Sequence, residues 1–420
     1  MSGHRIAVVH ERFTEFGGSE AVVAEFMKIW PEARMHAPIV TPECLAAMRT
    51  AVEADDGGLA RPPELGTTHL PSSTVHSGTM LSSNDARGWT IARHPSAARR
   101  HTFHTTWLTR AHDLTGRRSH APLLPFVPRA LRRLPLAGRY DAVLVSHHAF
   151  AIQAAFATDA PVIAYVHSPA RWAWDRGFRE REAGGRAGQF ALTALGHLAR
   201  RAEIRAAPRL AHVVANSQAV ADRVRDWWGL NSSVVNPPVR IDRFSPDPGI
   251  AREDFFLFAG RLVPYKRPDL AIRAAQQAGC RLVVLGDGRF RAHLETLAGP
   301  ETTFLGAAPD DVLIDMYRRC RALLMPGVED FGIVPVEAMA CGTPVLAVGE
   351  GGALDTVRPG VTGEHLRFGD DSAVVTRFAT AMREFDPSAY NPTTIRAHAE
   401  SYSPTAFRTR MAETVAHVLA

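Results

Sequence analysis

The sequence predicts an α/β protein made of two doubly wound parallel domains that face each other across a cleft. Three observations predict it. Short apolar runs alternate with helical stretches: Arg5 to Val9, Asp141 to Ser146 (DAVLVS), Pro161 to His167 (PVIAYVH) and Ala211 to Asn216 (AHVVAN). Such runs read as strands of a parallel sheet covered on both faces. The alternation then restarts beyond a proline-rich stretch, at Phe255 to Ala259, Arg281 to Leu285, Thr302 to Leu305, Ala322 to Met325 and Pro344 to Ala347. Finally, 420 residues give room for two domains of ordinary size.

The elements follow in order. The first strand leads into a glycine turn, Gly17-Gly18, and an Ala/Val-rich helix from Ser19. Residues from about 53 to 139 are rich in Pro, Ser, Thr, His and Arg and predict an irregular insertion with some helix, including Pro128 to Arg133. Its expected place is the acceptor side or a lid, with a tolerated surface insertion as the alternative. Asn236-Pro237-Pro238 and SPDPG at Ser245 to Gly249 predict an interdomain linker, because proline suppresses helix and stiffens the chain. The expected domains are 1–240, carrying the insertion, and 250–400, with a helix over 401–420 packing back toward the N-terminal domain.

Hydrophobic residues at 46% and charged residues at 22% argue against long disorder. The net charge of +5 permits anionic partners, but no RNA- or DNA-binding motif accompanies it, so nucleic acid is not an expected partner. Cys44, Cys280, Cys320 and Cys341 are scattered, without metal-ligand or redox spacing, and read as core thiols in a reducing compartment. The opening MSGHRIAVVH reads as a strand and not as a secretory leader, and no run is apolar enough for a membrane helix. The expectation is a cytoplasmic protein. Arg129, Arg132 and Arg133, or Arg200, Arg201 and Arg205, could touch the inner membrane face, or could be solvated helix faces.

The sharpest motif is EDFGIVPVEAMACGTP, Glu329 to Pro344, after the strand ALLMP. Glu329 falls in the loop and Glu337 in the first turns of the next helix. Gly332 allows close approach of backbone to a ligand, Pro335 suits a helix start, and the N–H groups around Gly332, Ile333 and Val334 would point at an anion. The structural alternative is a helix start whose glutamates complement the dipole. GRLVPYKRPD, Gly260 to Asp269, places Arg261 and Lys266 where both could meet one diphosphate, and Lys266 and Lys28 are the only lysines in the chain. Its alternative is a solvated basic turn. GDGR, Gly286 to Arg289, punctuates a strand–helix turn. EFGGSE, Glu15 to Glu20, could bring Gly17 and Gly18 to the donor or could be a plain turn. In YVHSPARWAWD, Tyr165 to Asp175, His167 could bond a sugar hydroxyl, and Trp172 and Trp174 could line a sugar subsite; a structural histidine beside core tryptophans is the alternative.

Together these motifs resemble the retaining family-four glycosyltransferases of the GT-B fold, with two Rossmann-like halves. GRLVPYKRPDLAI, EDFGIVPVEAMACGTPV and HSPARWAWD resemble the bacterial mannosyltransferases of O-antigen assembly in particular. The resemblance is best from about 141 to 366 and poor over about 53 to 115. It implies a hexosyltransferase acting on a nucleotide-diphosphate sugar, GDP-mannose first and a UDP-sugar of natural-product biosynthesis second. The implied acceptor is a glycan, a lipid-linked glycan or a small molecule. By the same resemblance Arg261 and Lys266 bind the donor diphosphate and Glu337 holds the ribose. Glu329 faces the transferred sugar, with backbone contacts from Phe331, Gly332, Ile333 and Val334. His167 contacts the sugar near O6, Gly17 and Gly18 approach the donor, and the base lies near Gly306. No metal or other cofactor is expected, and the oligomeric state is left open. A dinucleotide enzyme is disfavoured because the first turn lacks G-x-G-x-x-G. A non-catalytic nucleotide-sugar-binding protein is the remaining alternative.

Overall fold

A computed structural model describes residues 4–54, 90–92, 101–117, 119–182 and 185–420. Among them the chain forms two lobes, each a twisted sheet between helices. The N-terminal sheet contains β1 (Ile6–His10), β2 (Arg34–His36), β3 (Thr90–Ala92), β4 (Phe103–Thr105), β5 (Ala142–His147), β6 (Val162–Val166), β7 (His212–Ala215) and β8 (Ser233–Val234). Its order is β3-β4-β2-β1-β5-β6-β7-β8, parallel except for the β3–β4 pair. The C-terminal sheet contains β9 (Phe256–Ala259), β10 (Leu282–Leu285), β11 (Thr302–Gly306), β12 (Leu323–Met325), β13 (Val345–Val348) and β14 (Gly363–Leu366). Its order is β11-β10-β9-β12-β13-β14, parallel throughout.

The two-residue period of a strand explains why these runs are apolar without interruption. In β1, Ala7 and Val9 enter one core with Val143 and Val145 of β5, while Ile6 and Val8 enter the opposite core with Leu144 and Ile163. In β9, Leu257 and Ala259 face one layer and Phe256 and Phe258 the other. Strand order reverses between β1 and β5 in one lobe and between β9 and β12 in the other. In open α/β sheets the crevice at such a reversal, beyond the carboxyl ends of the strands, is where ligands bind.

The chain crosses between lobes twice. Val235 belongs to the N-terminal core and Val239 to the C-terminal core, so the first crossing is confined to Asn236-Pro237-Pro238. Tyr402 packs in the C-terminal core and Phe407 in the N-terminal one. The crossings are tied together where Val239 N–H donates to the Tyr402 carbonyl at 2.9 Å. Beyond the second, the helix Pro404–Leu419 is capped by Ser403 and buries Phe407, Met411 and Val415, spaced by four, in the N-terminal lobe. Phe407 stacks on Phe26 with centroids 5.7 Å apart, and Arg408 pairs with Glu25 at 2.6 Å.

One expectation is corrected. The described residues between 101 and 139, expected from composition to be an irregular insertion with some helix, are integral to the N-terminal lobe. β4 pairs with β2, and the helices Trp107–Leu114 and Val127–Leu131 send Leu108, Val127 and Leu131 into its core. The signal was hidden because β4 is three residues long and polar in sequence. His104 is buried by stacking on His36, 4.7 Å between centroids, and not by apolarity. The rest of the expected insertion, apart from β3 and the end of the preceding helix, lies outside the described residues. No helix among the described residues is long and apolar enough to cross a membrane.

Candidate active site between the lobes

The C-terminal wall is made by the loops that leave the adjacent strands β9 and β12. The first carries Arg261 and, in a short 3-10 turn, Lys266; the second carries Glu329 and leads into the helix Ile333–Ala340. Glycines let these loops touch backbone to backbone. A Cβ on Gly327 would meet the Lys266 carbonyl at 2.6 Å, and one on Gly286 (φ +135°) would meet the Gly260 carbonyl at 1.9 Å. GDGR therefore serves as a close-packed floor under the 260–262 loop. Behind Glu329, the loop after β13 acts as a brace: Gly352 N–H donates to the Glu329 carbonyl at 2.9 Å.

Lys266 and Glu329 share a recess with Met325, Val334 and Pro335. Their side chains, 11% and 21% exposed, meet as an ion pair with Nζ 2.5 Å from Oε1. Burial acts to lower the Lys266 pKa, but the Glu329 carboxylate and Tyr265 together more than offset it, so the ammonium is held above its usual range. Arg261 is exposed and does not line the recess, and its charge opposes that upward shift. The helix after Glu329 starts at Gly332, in the left-handed region at φ +93°, and no side chain caps it. One turn further in, Glu337 accepts a bond from the Tyr317 hydroxyl at 3.3 Å, and burial raises its pKa. Gly306 ends β11 at φ +73°, where a Cβ would press on Arg291 at 3.1 Å. Phe331 is buried against Tyr402, 5.6 Å between centroids, so only its backbone could serve a ligand in this arrangement.

The N-terminal wall comes from the ends of β1, β5 and β6. Gly17 and Gly18 are exposed at the start of the helix Gly18–Ile29, and a Cβ on Gly18 would lie 3.1 Å from Ile333 Cδ1. The glycine turn of one lobe thus abuts the helix start of the other. His167 follows β6, with its Nε2 2.8 Å from Ser146 Oγ. Burial pushes its pKa down to about 3, so the ring is neutral.

For Trp172 and Trp174 the packing favours the structural alternative. Both rings pack on the N-terminal core; Trp174 donates to Glu203 at 2.5 Å and stacks on Trp227. A carboxylate that the sequence did not single out holds the lobes together. Asp330, beside Glu329, pairs with Arg171 at 3.1 Å and with Arg223, and its carbonyl accepts from the Ser217 hydroxyl at 2.5 Å. Only its place beside Glu329 in EDFG marks it in the sequence.

With this geometry in hand, the chain can be compared with known proteins. Residues 91–243 match the model of the family described as Glycosyltransferase Family 4, and residues 241–389 that of Glycosyl transferases group 1, so the two matches run on from one lobe into the other. The chain belongs to the family-four glycosyltransferases. Its fold is the GT-B architecture. D-inositol 3-phosphate glycosyltransferase of Mycolicibacterium paratuberculosis is 34% identical over 192 residues, 40% of this chain and 44% of that protein. The protein of the same name from Mycobacterium tuberculosis is 37% identical over 151 residues, 31% of this chain and 32% of that one. The match thus spans less than half the length of either relative. Among solved structures, Anabaena HepE with UDP and glucose aligns over 99% of this chain and 100% of its own, with a TM-score of 0.63 at 17% identity. Sucrose-phosphate synthase of Thermosynechococcus elongatus aligns over 99% of both, with a TM-score of 0.64 at 15% identity. Both likenesses are of fold.

Proposed function

We propose that this glycosyltransferase moves a hexosyl group from a nucleoside-diphosphate sugar to an acceptor hydroxyl, with retention at the anomeric carbon and without a metal ion. The observation that carries the proposal is the Lys266–Glu329 pair at the foot of an uncapped helix start, on the loops flanking the strand-order reversal. The departing diphosphate gains negative charge as its bond to C1 breaks. Lys266, Arg261 and the N–H groups at 332–334 supply fixed positive potential at that place. Glu329 then exchanges its lysine for the hydroxyls of the transferred sugar, and Glu337 takes the ribose. The acceptor oxygen bonds to C1 from the face the phosphate leaves, and its proton passes to the leaving phosphate oxygen, so no side chain need act as base. His167, Gly17 and Gly18 complete the donor site from the other lobe, and the base lies by Gly306.

GDP-mannose is the first donor proposed, from the likeness of the loop motifs to O-antigen mannosyltransferases, with a lipid-linked glycan or a small molecule as acceptor. A UDP-sugar is the second reading, supported by the UDP-glucose complex of HepE. A ligand that binds only the folded state raises apparent stability, so thermal unfolding with GDP, UDP, dTDP and ADP ranks the bases. GDP or UDP is expected to give the largest upward shift. Release of nucleoside diphosphate from the matching sugar donor then tests turnover, and no release with any acceptor sinks the enzymatic reading in favour of a binding protein.

A further inference from the structure

The N-terminal wall contains a line of polar side chains that ends at His167 and whose other members take no part in the transfer chemistry above. Glu20 Oε1 lies 3.0 Å from His10 Nε2, His10 Nδ1 lies 3.0 Å from Ser146 Oγ, and Ser146 Oγ lies 2.8 Å from His167 Nε2. His10 and Ser146 are wholly buried and Glu20 is 7% exposed. The second oxygen of Glu20 accepts from the Gly17 N–H at 3.1 Å and the Ser19 hydroxyl at 2.9 Å, so the same carboxylate also anchors the glycine turn. His167, at the far end, is partly exposed, and the charge of Asp330 in the other lobe reaches it.

We propose that Glu20, His10 and Ser146 are positioning residues that fix the tautomer of His167, leaving its Nδ1 as a hydrogen-bond acceptor for a hydroxyl of the transferred sugar. This rests on the donor site described under Proposed function. Burial alone would raise the Glu20 pKa, but its hydrogen bonds to His10 and to the Ser19 hydroxyl hold it down at about 2, so the carboxylate only accepts. His10 therefore donates through Nε2–H, and in its neutral form presents a bare Nδ1 to Ser146. The single hydroxyl hydrogen of Ser146 goes to that nitrogen. The remaining contact of Ser146, with His167, can then be made only if His167 donates through Nε2–H. A neutral His167 has one ring hydrogen, so Nδ1 is left bare.

The groups facing His10 are Glu20, Ser146, Phe13 and His148, the last two rings at 4.8 and 5.8 Å between centroids. Those facing His167 are Ser146, Tyr165 and His148, with the charges of Glu20, His147 and Asp330 acting from further off. Burial keeps His148 neutral by lowering its pKa well below the usual value, and the cation of Arg12 adds to that.

Imidazole nitrogen NMR of the full chain tests this directly, with His167 assigned by comparison with His167→Gln. The expected wild-type spectrum near neutral pH has His167 protonated at Nε2 and bare at Nδ1; a wild-type Nδ1–H form overturns the proposal whatever the activity. In Ser146→Ala and Glu20→Gln both tautomers should become populated, and an unchanged single tautomer in both also overturns it. Kinetics separate positioning from general damage. Ser146→Ala, which leaves the glycine turn untouched, should lower kcat/KM for the sugar donor about tenfold, the effect of one misdirected hydrogen bond, with the Kd of the free nucleoside diphosphate unchanged. An equal loss in both quantities contradicts a positioning role. If the wild type binds nucleotide but transfers no sugar, the transfer reading fails while the tautomer result still stands or falls on its own.

Discussion

The two walls of the cleft are built from opposite materials. The C-terminal wall is charged and partly open: a lysine and a glutamate on glycine-braced loops, beside an uncapped helix start. The N-terminal wall is polar and closed: histidines within buried strands and turns, linked by short polar contacts to one carboxylate. The difference teaches how labour is divided at such a site. A leaving group that gains charge calls for fixed cations, whereas a sugar hydroxyl calls for a neutral partner of defined donor or acceptor sense.

If this division is right, Lys266→Ala should cost most. Transfer is expected to fall by about 10²–10³-fold, the loss typical of a fixed transition-state donor, measured as kcat for donor turnover. Next comes the seam between the walls. Asp330→Ala removes the shared partner of Arg171 and Arg223, whose side chains are 12% and 17% exposed. It should destabilise the protein by about 2 kcal/mol and raise KM, read from denaturant unfolding and initial rates. Gly18→Val is smaller: its side chain must displace the tip of Ile333, so KM should rise severalfold with kcat little changed. The mildest test uses acid. Glu20 ionises at about 2 in the folded protein against an ordinary 4.5. The stability it supplies is present above 4.5 and is lost as pH falls from there toward 2. Glu20→Gln should therefore flatten the wild-type loss of stability across that window, measured by unfolding at stepped pH.

The sequence reading reached the two walls unequally, for physical reasons. The C-terminal loops are local: Lys266 and Glu329 each sit within a motif whose glycines and prolines declare the turn, and adjacency of β9 and β12 brings them together. Strands with both faces buried were legible because their apolar runs are unbroken. The N-terminal wall is non-local. Ser146 and His10 look like ordinary strand residues until β1 and β5 pair, with His10 opposite Ser146 in register. β2, β4 and β8 are two or three residues long, too short for a period to show. Trp172 and Trp174 stay open between two readings in the sequence because amphipathic rings suit a sugar subsite and a core equally well. Asp330 was overshadowed by its neighbour, since nothing local distinguishes a carboxylate that faces a ligand from one that faces another lobe.

The central claim is that Lys266 leaves Glu329 to hold the diphosphate of a nucleotide. The Kd of GDP and UDP, measured calorimetrically for the wild type, Lys266→Ala and Glu329→Gln, tests it most directly. The account predicts binding weakened at least about tenfold in Lys266→Ala. In Glu329→Gln, where the lysine is released from its partner, binding should be as tight as wild type or tighter. Equal affinity for all three proteins would contradict it.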